Sequence, residues 1–548
     1  MSQIETVHKG AILVSEPPGA IELDVLGTSD AASASNPSNS PPDETEYPPL
    51  TIVSVVFLAV SLVLVLAALD GNIIATAVPS ITDHFHTVAD VGWYYTAYRL
   101  ASSSLQFAFG KMYTIFPTKP LILASTAIFL CGSVLCAAAS SSIMFVVGRA
   151  VTGVGLAGAA AGFFTIMVAI LPLSRRPLLS AVFGLVEGVS NVAAPPIGGV
   201  IVQTLSWRWC FWINLPVGGA AILAMIFFLP ETSKNRPKLT GREIVRKLDL
   251  TGTLVFIPSL TALFIAFNWG GIVYAWNNPK MIALYVVFAF LLGIFAIDQV
   301  VKGDDAILPL RVMKDRNVLA GALFITALSG ALAVQEYYAP TFFQAVLGYS
   351  PARSGYLMLP CLIGTIIGFM SAGGGTSYFG YFTPFMFATA ILLPIGSGLL
   401  TTWSSSTTIP FFVGSFFLVG LASGLGFGAP QTSIQTTLPK ADVQLGIAVM
   451  LFFQNFGPAL FVAIAQAIFT NRLSANLQAL APGSNVTRIE TLGLTEIKHQ
   501  FTGVKLEEVT RGFSESIEQT FYLALGLSCT AIVGAAFTNW ASVKKKED

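Results

Sequence analysis

Residues 51–79 read TIVSVVFLAVSLVLVLAALDGNIIATAVP, and a single charge, Asp70, stands among them. A hydrocarbon core about 30 Å thick needs about 20 predominantly apolar residues per spanning helix, so this run is long enough to cross a bilayer. Asp70 would then sit in a low-dielectric phase. An ionisable group there costs at least about 2.5–3.5 kcal/mol and is by default a candidate functional group. The rest of the chain has the same character. Of 548 residues, 54% are hydrophobic and 11% are charged, against about 45–50% and about 25% in an ordinary soluble protein. So few charges could not cover a soluble surface of this size. The fold class expected is an all-α polytopic membrane protein.

Working outward, fourteen apolar segments of spanning length lie between residues 51 and 540. Six fill 49–230 and six fill 317–541; a basic loop and two further segments occupy 231–316. The two sets of six share features. GKMYTIFP at 110–117 follows the second segment as GGGTSYFG at 373–380 follows the tenth, and both read as short turns. The first segment is expected to end near Pro79 and the ninth near Pro340. Asn191 precedes Pro195 as Asn455 precedes Pro458. The reading is two six-helix lobes with two inserted helices. Parallel repeats around a midplane site are a transporter architecture.

Residues 1–48 hold eight acidic residues, one Lys and Pro/Ser-rich stretches. Such a composition cannot bury a core, so this segment is expected to be a disordered cytoplasmic tail, with a second tail at 542–548. With the N-terminus inside, the inner loops receive 19 Lys and Arg and the outer loops eight, five of them in one long loop, 472–518. This is the charge asymmetry of a membrane protein oriented that way. Asn485-Val486-Thr487 falls in that loop and makes Asn485 a glycosylation candidate.

Composition excludes other classes. Net charge is zero, which gives nucleic acid no basic field. Five Cys without a CxxC pair and four scattered His suggest neither a metal site nor a redox centre. No cofactor is expected. Gly424, Gly426 and Gly428 form a GxGxG, but it lies inside an apolar span with no strand before it, so close packing or a flexible gate replaces the dinucleotide reading. Tyr337, Tyr338, Phe342 and Phe343 are read as an interfacial aromatic belt.

Asp70, Arg99, Arg149, Glu187 and Glu336 are ionisable groups within spans. Read blandly, they are fixed salt bridges that set packing; read functionally, they form a proton or substrate pathway. In the second span Tyr95, Arg99, Ser102, Gln106 and Gly110 follow the helical period. That stripe cannot face lipid and is assigned to a substrate cavity, together with Asn191, Glu336 and Asn455. A carboxylate whose Arg partner or water access changes between two conformations can load and release a proton. Asp70, Arg149 and Glu187 are the candidates for proton coupling, and the sequence leaves open which acid meets which Arg. Gly184 and Gly188 allow close helix approach, and Pro195 with Pro196 should bend the fifth span.

These motifs resemble the major facilitator superfamily over about 49–541, and within it the fourteen-helix drug:proton antiporters, including fungal exporters of toxins and secondary metabolites. Leu69-Asp70 through Pro79 is similar to the first-helix motif of that family. Arg149-x-x-x-Gly153 resembles its fourth-helix motif, whose Arg the family assigns to proton transfer. Ala194-Pro195-x-x-Gly198-Gly199 resembles the antiporter motif, with Ala194 where Gly is usual. Trp207-Arg-Trp-Cys-Phe-Trp-Ile-Asn214-Leu-Pro216 is similar to a segment typical of the fourteen-helix group. Gly110 and Lys119 mark the loop motif between spans two and three. Here Thr114 stands where the superfamily usually has Asp, and Ile115 where a basic residue is frequent, which puts the charge relay of that loop in question. Gly110, Lys119, Pro195, Gly198 and Gly199 are carried over as conformational positions.

The resemblance implies a proton-coupled carrier that exports an amphipathic organic compound by alternating access. Its expected partners are a small molecule, protons and the bilayer, with no nucleic acid. It is expected to be a monomer, not an enzyme, and to reside in the plasma membrane or alternatively the vacuolar membrane. Rival readings are siderophore or basic amino acid transport on the same fold, or a membrane enzyme or channel.

Overall fold

A computed structural model describes residues 49–85, 91–171, 175–231, 240–270, 274–349, 351–480 and 504–544. The tail at 1–48, the sequon at Asn485 and the last four residues lie outside the described residues. The chain forms a helical bundle. Its elements are α1 (Leu50–Phe85), α2 (Val91–Ile115), α3 (Thr118–Ala137), α4 (Ser142–Ile170), α5 (Arg176–Thr204), α6 (Trp209–Trp212) and α7 (Asn214–Phe228). There follow α8 (Gly241–Leu248), α9 (Leu250–Trp269), α10 (Pro279–Lys302) and α11 (Leu310–Met313). The last group is α12 (Arg316–Ala345), α13 (Pro351–Phe379), α14 (Thr383–Leu400), α15 (Ile409–Phe427), α16 (Ala429–Thr437), α17 (Val443–Leu480) and α18 (Val504–Phe537).

Among the described residues, 12 helices are long and apolar enough to cross a membrane. In that count α6 continues into α7, and α15 into α16. Two more helices have the length, α2 with 25 residues and α5 with 29. They are also the ones that carry Arg99, Gln106, Glu187 and Asn191.

Several boundaries differ from the sequence expectation. α1 runs through Pro79 to Phe85, and α12 through Pro340 to Ala345. A proline ends a helix readily in water, but in a membrane bundle neighbouring groups re-satisfy the carbonyl it frees. The expected turn at 373–380 is helical as far as Phe379, and the chain reverses at Gly380, whose φ is +88°. The preceding glycines serve packing instead: a Cβ on Gly375 would strike the ring of Phe385 on α14. The loop expected at 472–518 is helical at both ends, because α17 continues to Leu480 and α18 starts at Val504. Hydropathy measures the lipid-facing length of a helix and is blind to polar turns that extend it. The aromatic belt is also overturned. Tyr338, Phe342 and Phe343 are buried, and only Tyr337 is exposed. Phe342 and Phe343 pack on Trp403 and Phe412 with ring centroids 5.3–5.9 Å apart.

Helix contacts give the bundle two halves with a seam. In the first, α1 packs on α5 and α7, while α4 packs on α2 and α3; in the second, α12 packs on α17 and α18, and α15 on α13 and α14. The seam is made by α5 against α13 and by α2 against α17. Small residues set its spacing. A Cβ on Gly110 would collide with the Cβ of Ala448, and one on Gly184 with the ring of Phe369. The GxGxG stretch has the same use inside the second half: a Cβ on Gly424 would meet the Thr365 carbonyl of α13. α9 and α10 pack on each other, and α9 leans on α2 and α17.

Candidate functional site

Arg149 lies eight positions into α4, after a start capped by Ser141, whose side chain accepts the Met144 N–H. One turn further on, Gly153 lets α4 approach α2; a Cβ there would collide with the Tyr98 carbonyl. The close approach brings the guanidinium onto Asp70 of α1. Arg149 Nη1 bonds Asp70 Oδ2, and both side chains are fully buried. Arg149 Nε donates to the Tyr94 carbonyl at 2.9 Å, and the Tyr98 ring lies under the guanidinium at 4.4 Å. Asn214, the first residue of α7, donates through Nδ2 to Asp70 Oδ1 at 3.3 Å and to Ser133 Oγ at 3.0 Å. Arg149 Nη2 has no hydrogen-bond partner among the described residues.

The pair is neutral as a unit, and each charge depends on the other. Removing one partner of a buried pair costs about 3–5 kcal/mol because the other charge is left uncompensated. A proton arriving on Asp70 has that effect without any mutation: it neutralises the carboxylate and leaves the Arg149 charge without its counter-ion.

One side chain away lies a cavity of about 560 Å³, including its mouth, between α1, α2, α4 and α17. Tyr98 is the partition: its ring faces Arg149, its hydroxyl donates to the Ala67 carbonyl at 2.7 Å, and both residues also line the cavity. Arg99, Gln106 and Asn455 meet there. Arg99 Nη1 donates to Asn455 Oδ1 at 3.1 Å, a bond across the seam between the halves. A smaller cavity, of about 280 Å³ including its mouth, lies between α13, α14 and α15/α16, with no charged residue among the described residues of its lining.

Other sequence candidates fall elsewhere. The side chains of Tyr95, Glu187, Asn191 and Pro195 lie outside the described ones, although α5 is helical throughout 176–204. Glu336 is exposed on α12 and is not part of the cavity lining. Lys119 is half-buried in the first turn of α3. Gly198 is buried, whereas a Cβ on Gly199 would meet nothing within 4 Å.

At the end of the bundle where α1 begins, a polar clip joins the halves. Lys111 of α2 donates to the carbonyls of Asp304 and Ala306 at 3.0 and 2.8 Å. Arg311 pairs with Asp304 at 3.0 Å and with Asp442, just before α17, at 2.8 Å. Asp249, the cap of α9, bonds Lys302 and accepts from Gln299 and from the Ile307 N–H, each at 2.9 Å. Burial alone would raise the Asp249 carboxyl, but the donors around it hold it below the usual carboxylate range. Thr165 of α4 donates to Gln444 of α17 at 2.8 Å. The segment after the inserted helix pair thus holds Lys111, next to the position where Thr114 stands in place of the usual Asp.

Sequence reasoning missed four contributors. Asn214 lay inside a quoted motif, and a lone amide at the start of an apolar run was its signal. Tyr98 lay beside the polar stripe. Gln454 and the Lys111 clip gave no local signal, since their partners are 23 and 193–195 residues away.

Residues 60–462 match the sequence profile of the Major Facilitator Superfamily. The chain belongs to that superfamily. It is accordingly a multi-pass membrane transporter, and relatives of known name match most of its length. The MFS-type efflux pump MFS1 of Arthroderma benhamiae is 36% identical over 496 residues, which is 90% of this chain and 92% of that protein. The rubrofusarin-specific efflux pump aurT of Gibberella zeae is 35% identical over 505 residues, 92% of each. The solved structure of the proton:xylose symporter XylE superposes with a TM-score of 0.56 at 15% identity, over 89% of this chain and 95% of that one. That likeness supports the fold alone.

Proposed function

We propose that this superfamily member is a fourteen-span, proton-coupled efflux carrier that exports an amphipathic organic compound from the cytosol across the plasma membrane. Export is supported by the names of its relatives. Proton coupling rests on one observation: Tyr98, which lines the cavity, lays its ring against Arg149 of the buried Asp70–Arg149 pair. In the cycle envisaged, a proton from outside reaches Asp70 and releases Arg149. The α1, α2 and α4 contacts then rearrange, and Tyr98 transmits the change to the cavity wall. Loss of the proton to the cytosol resets the pair. The gradient supplies about 2.3 kcal/mol per charge per 100 mV and about 1.4 kcal/mol per pH unit. This is comparable to the differential energy of a buried pair. The clip at the Lys111 end is assigned to the cytosolic side, where most Lys and Arg lie.

The test compares metabolites inside and outside cells with and without the protein. Without it, one class of compound should accumulate inside and fall outside, and a protonophore should reproduce the change. A compound that instead accumulates outside would establish uptake and overturn the export reading. An unchanged distribution under the protonophore would remove the proton.

A further inference from the structure

α16 is a short polar helix buried on every side. Its sequence is APQTSIQTT, and Ala429 through Gln435 are all buried. It is set off from α15 at Gly428, and Pro430 in its first turn has no N–H to continue the α15 ladder. From there it runs toward the clip, since residues 438–442 lead on to Asp442, which pairs with Arg311. It packs on α12 and α17 of its own half and, across the seam, on α5.

The threonines of this helix are satisfied by its own backbone. Thr432 donates to the Gly428 carbonyl at 3.1 Å, Thr436 to that of Thr432 at 2.7 Å and Thr437 to that of Ser433 at 2.8 Å. The two glutamines differ. Gln431 gives Nε2 to Gln454 Oε1 at 2.7 Å, but its own Oε1 has no hydrogen-bond partner among the described residues. Gln435, one turn nearer the clip, is 5% exposed, and neither its Nε2 nor its Oε1 has such a partner. Gln454 lines the cavity. The amides at 454, 431 and 435 thus form a row that leads from the cavity toward the clip.

A buried polar group without a partner costs stability, because nothing has replaced the water it gave up. Native interiors leave few such groups, and each calls for a physical reason. For Gln435 the reason does not lie in the closed arrangement, where its side chain bonds nothing among the described residues and an apolar chain of the same length would escape the cost. It lies in an arrangement where the amide meets water.

We infer that Gln431 and Gln435 are the wall of the passage between the cavity and the clip, and that their dry burial keeps that end of the carrier from locking shut. While the clip is closed, they are packed without a full set of partners. When α16 parts from α5 they take up water, and the free energy regained offsets part of the cost of opening the contacts of Lys111, Arg311 and Asp442. Gln435 is therefore a positioning residue: it sets the balance between two arrangements without touching cargo. The inference rests on the reading of the chain as a carrier that works by alternating access.

The test is labelling of a cysteine that reports on the clip end, Gln444→Cys, at the position that faces Thr165 across the seam. Purified full-length protein is held in lipid nanodiscs without a gradient, and a water-soluble maleimide is counted at position 444 by mass spectrometry. Gln435→Met keeps the length of the side chain and removes both polar atoms. It should slow labelling at least about fivefold and raise the temperature of unfolding. Gln435→Leu carries the same expectation and decides the matter if Gln435→Met does not fold. Loss of an amide that held the closed end together would do the reverse. Faster or unchanged labelling overturns the proposal, as does a lower unfolding temperature. Failure of both variants to fold overturns it too, because a group that raises the energy of the closed arrangement is not needed to build it. Labelling requires neither cargo nor a proton gradient. A carrier that imports would give the same slowing, and unchanged rates would leave export untouched.

Discussion

The half that ends with α7 encloses a full ion pair, Asp70 with Arg149, steadied by Asn214 and flanked by two tyrosines. The half that begins with α12 solves its burial with neutral groups. Gln335 donates to Ser397 at 2.6 Å and Tyr338 to Gln466 at 2.9 Å, and Trp403 sits among Phe342, Phe343, Phe412, Phe416 and Phe521. No buried ion pair occurs in that half among the described residues. Two regions of similar shape thus have unlike chemistry. A proton can change the energy of the first by several kcal/mol, whereas the second offers it no buried charge pair to disturb. In the proposed cycle, the coupling event therefore belongs to the first half, and the second is a stable surface against which it moves.

The largest effect should come from the pair itself. Asp70→Asn should cut gradient-driven transport by about 100-fold or more, since about 3 kcal/mol of pairing is lost. Exchange without a gradient should survive, as measured in proteoliposomes. Gln335→Leu should lower stability yet keep the dependence on the gradient. If both variants lose that dependence, the contrast between halves is broken. Asp70→Asn should be less stable than Arg149→Gln, because the lone carboxylate left by the second can take up a proton, whereas the lone guanidinium left by the first cannot shed its charge. Combining the two should restore folding but not coupling.

Next in size is Trp403→Ala, expected to cost about 3–5 kcal/mol in thermal unfolding. Transport per folded molecule should remain normal. A large loss of coupling in this variant would give the aromatic half an active part. Asn214→Ala removes a hydrogen bond to a charged group, worth about 1.5–3 kcal/mol, and should reduce gradient-driven transport about tenfold. No reduction would confine the coupling unit to Asp70 and Arg149.

The smallest effect is expected at Lys111. Lys111→Met removes the donor from two carbonyls and should open the clip. A cysteine at Gln444, which faces Thr165 across the seam, should then react about fivefold faster with a water-soluble thiol reagent. An unchanged rate would mean that Arg311 and Asp442 hold the clip without it.

Much of this was legible in the chain. Apolar length gave the helices, and acids and arginines inside apolar runs gave Asp70, Arg99 and Arg149. What periodicity cannot give is which buried faces meet. Asp70 and Arg149 are 79 residues apart, and Arg99 and Asn455 are 356 apart. Their pairing follows from the order in which helices pack, and nothing local encodes it. Helix ends were misread at Pro79, Pro340 and Gly373 for the opposite reason. There the local signal was strong, but the bundle, by supplying alternative partners or close packing, overrode it. Thr114 made the relay near Lys111 look incomplete, because the groups that complete it, at 304 and 306, come from a loop that hydropathy does not describe.

The separation of Asp70 from its partners also bears on how the protein is made. Arg149 follows by 79 residues and Asn214 by 144. At about 5–20 residues per second, Asp70 waits roughly 4–16 s for its cation. During that interval α1 must remain in the bilayer carrying a lone acid, at about 2.5–3.5 kcal/mol. α1 is the most apolar of the 12 spans by mean hydropathy, and each Leu, Ile, Val or Phe contributes about 0.3–0.6 kcal/mol toward insertion. The valines and leucines of 51–69 are therefore matched to the acid that follows them. Polar substitutions on the exposed side of this run, such as at Leu58, should reduce the number of molecules that reach the membrane without altering the turnover of those that do.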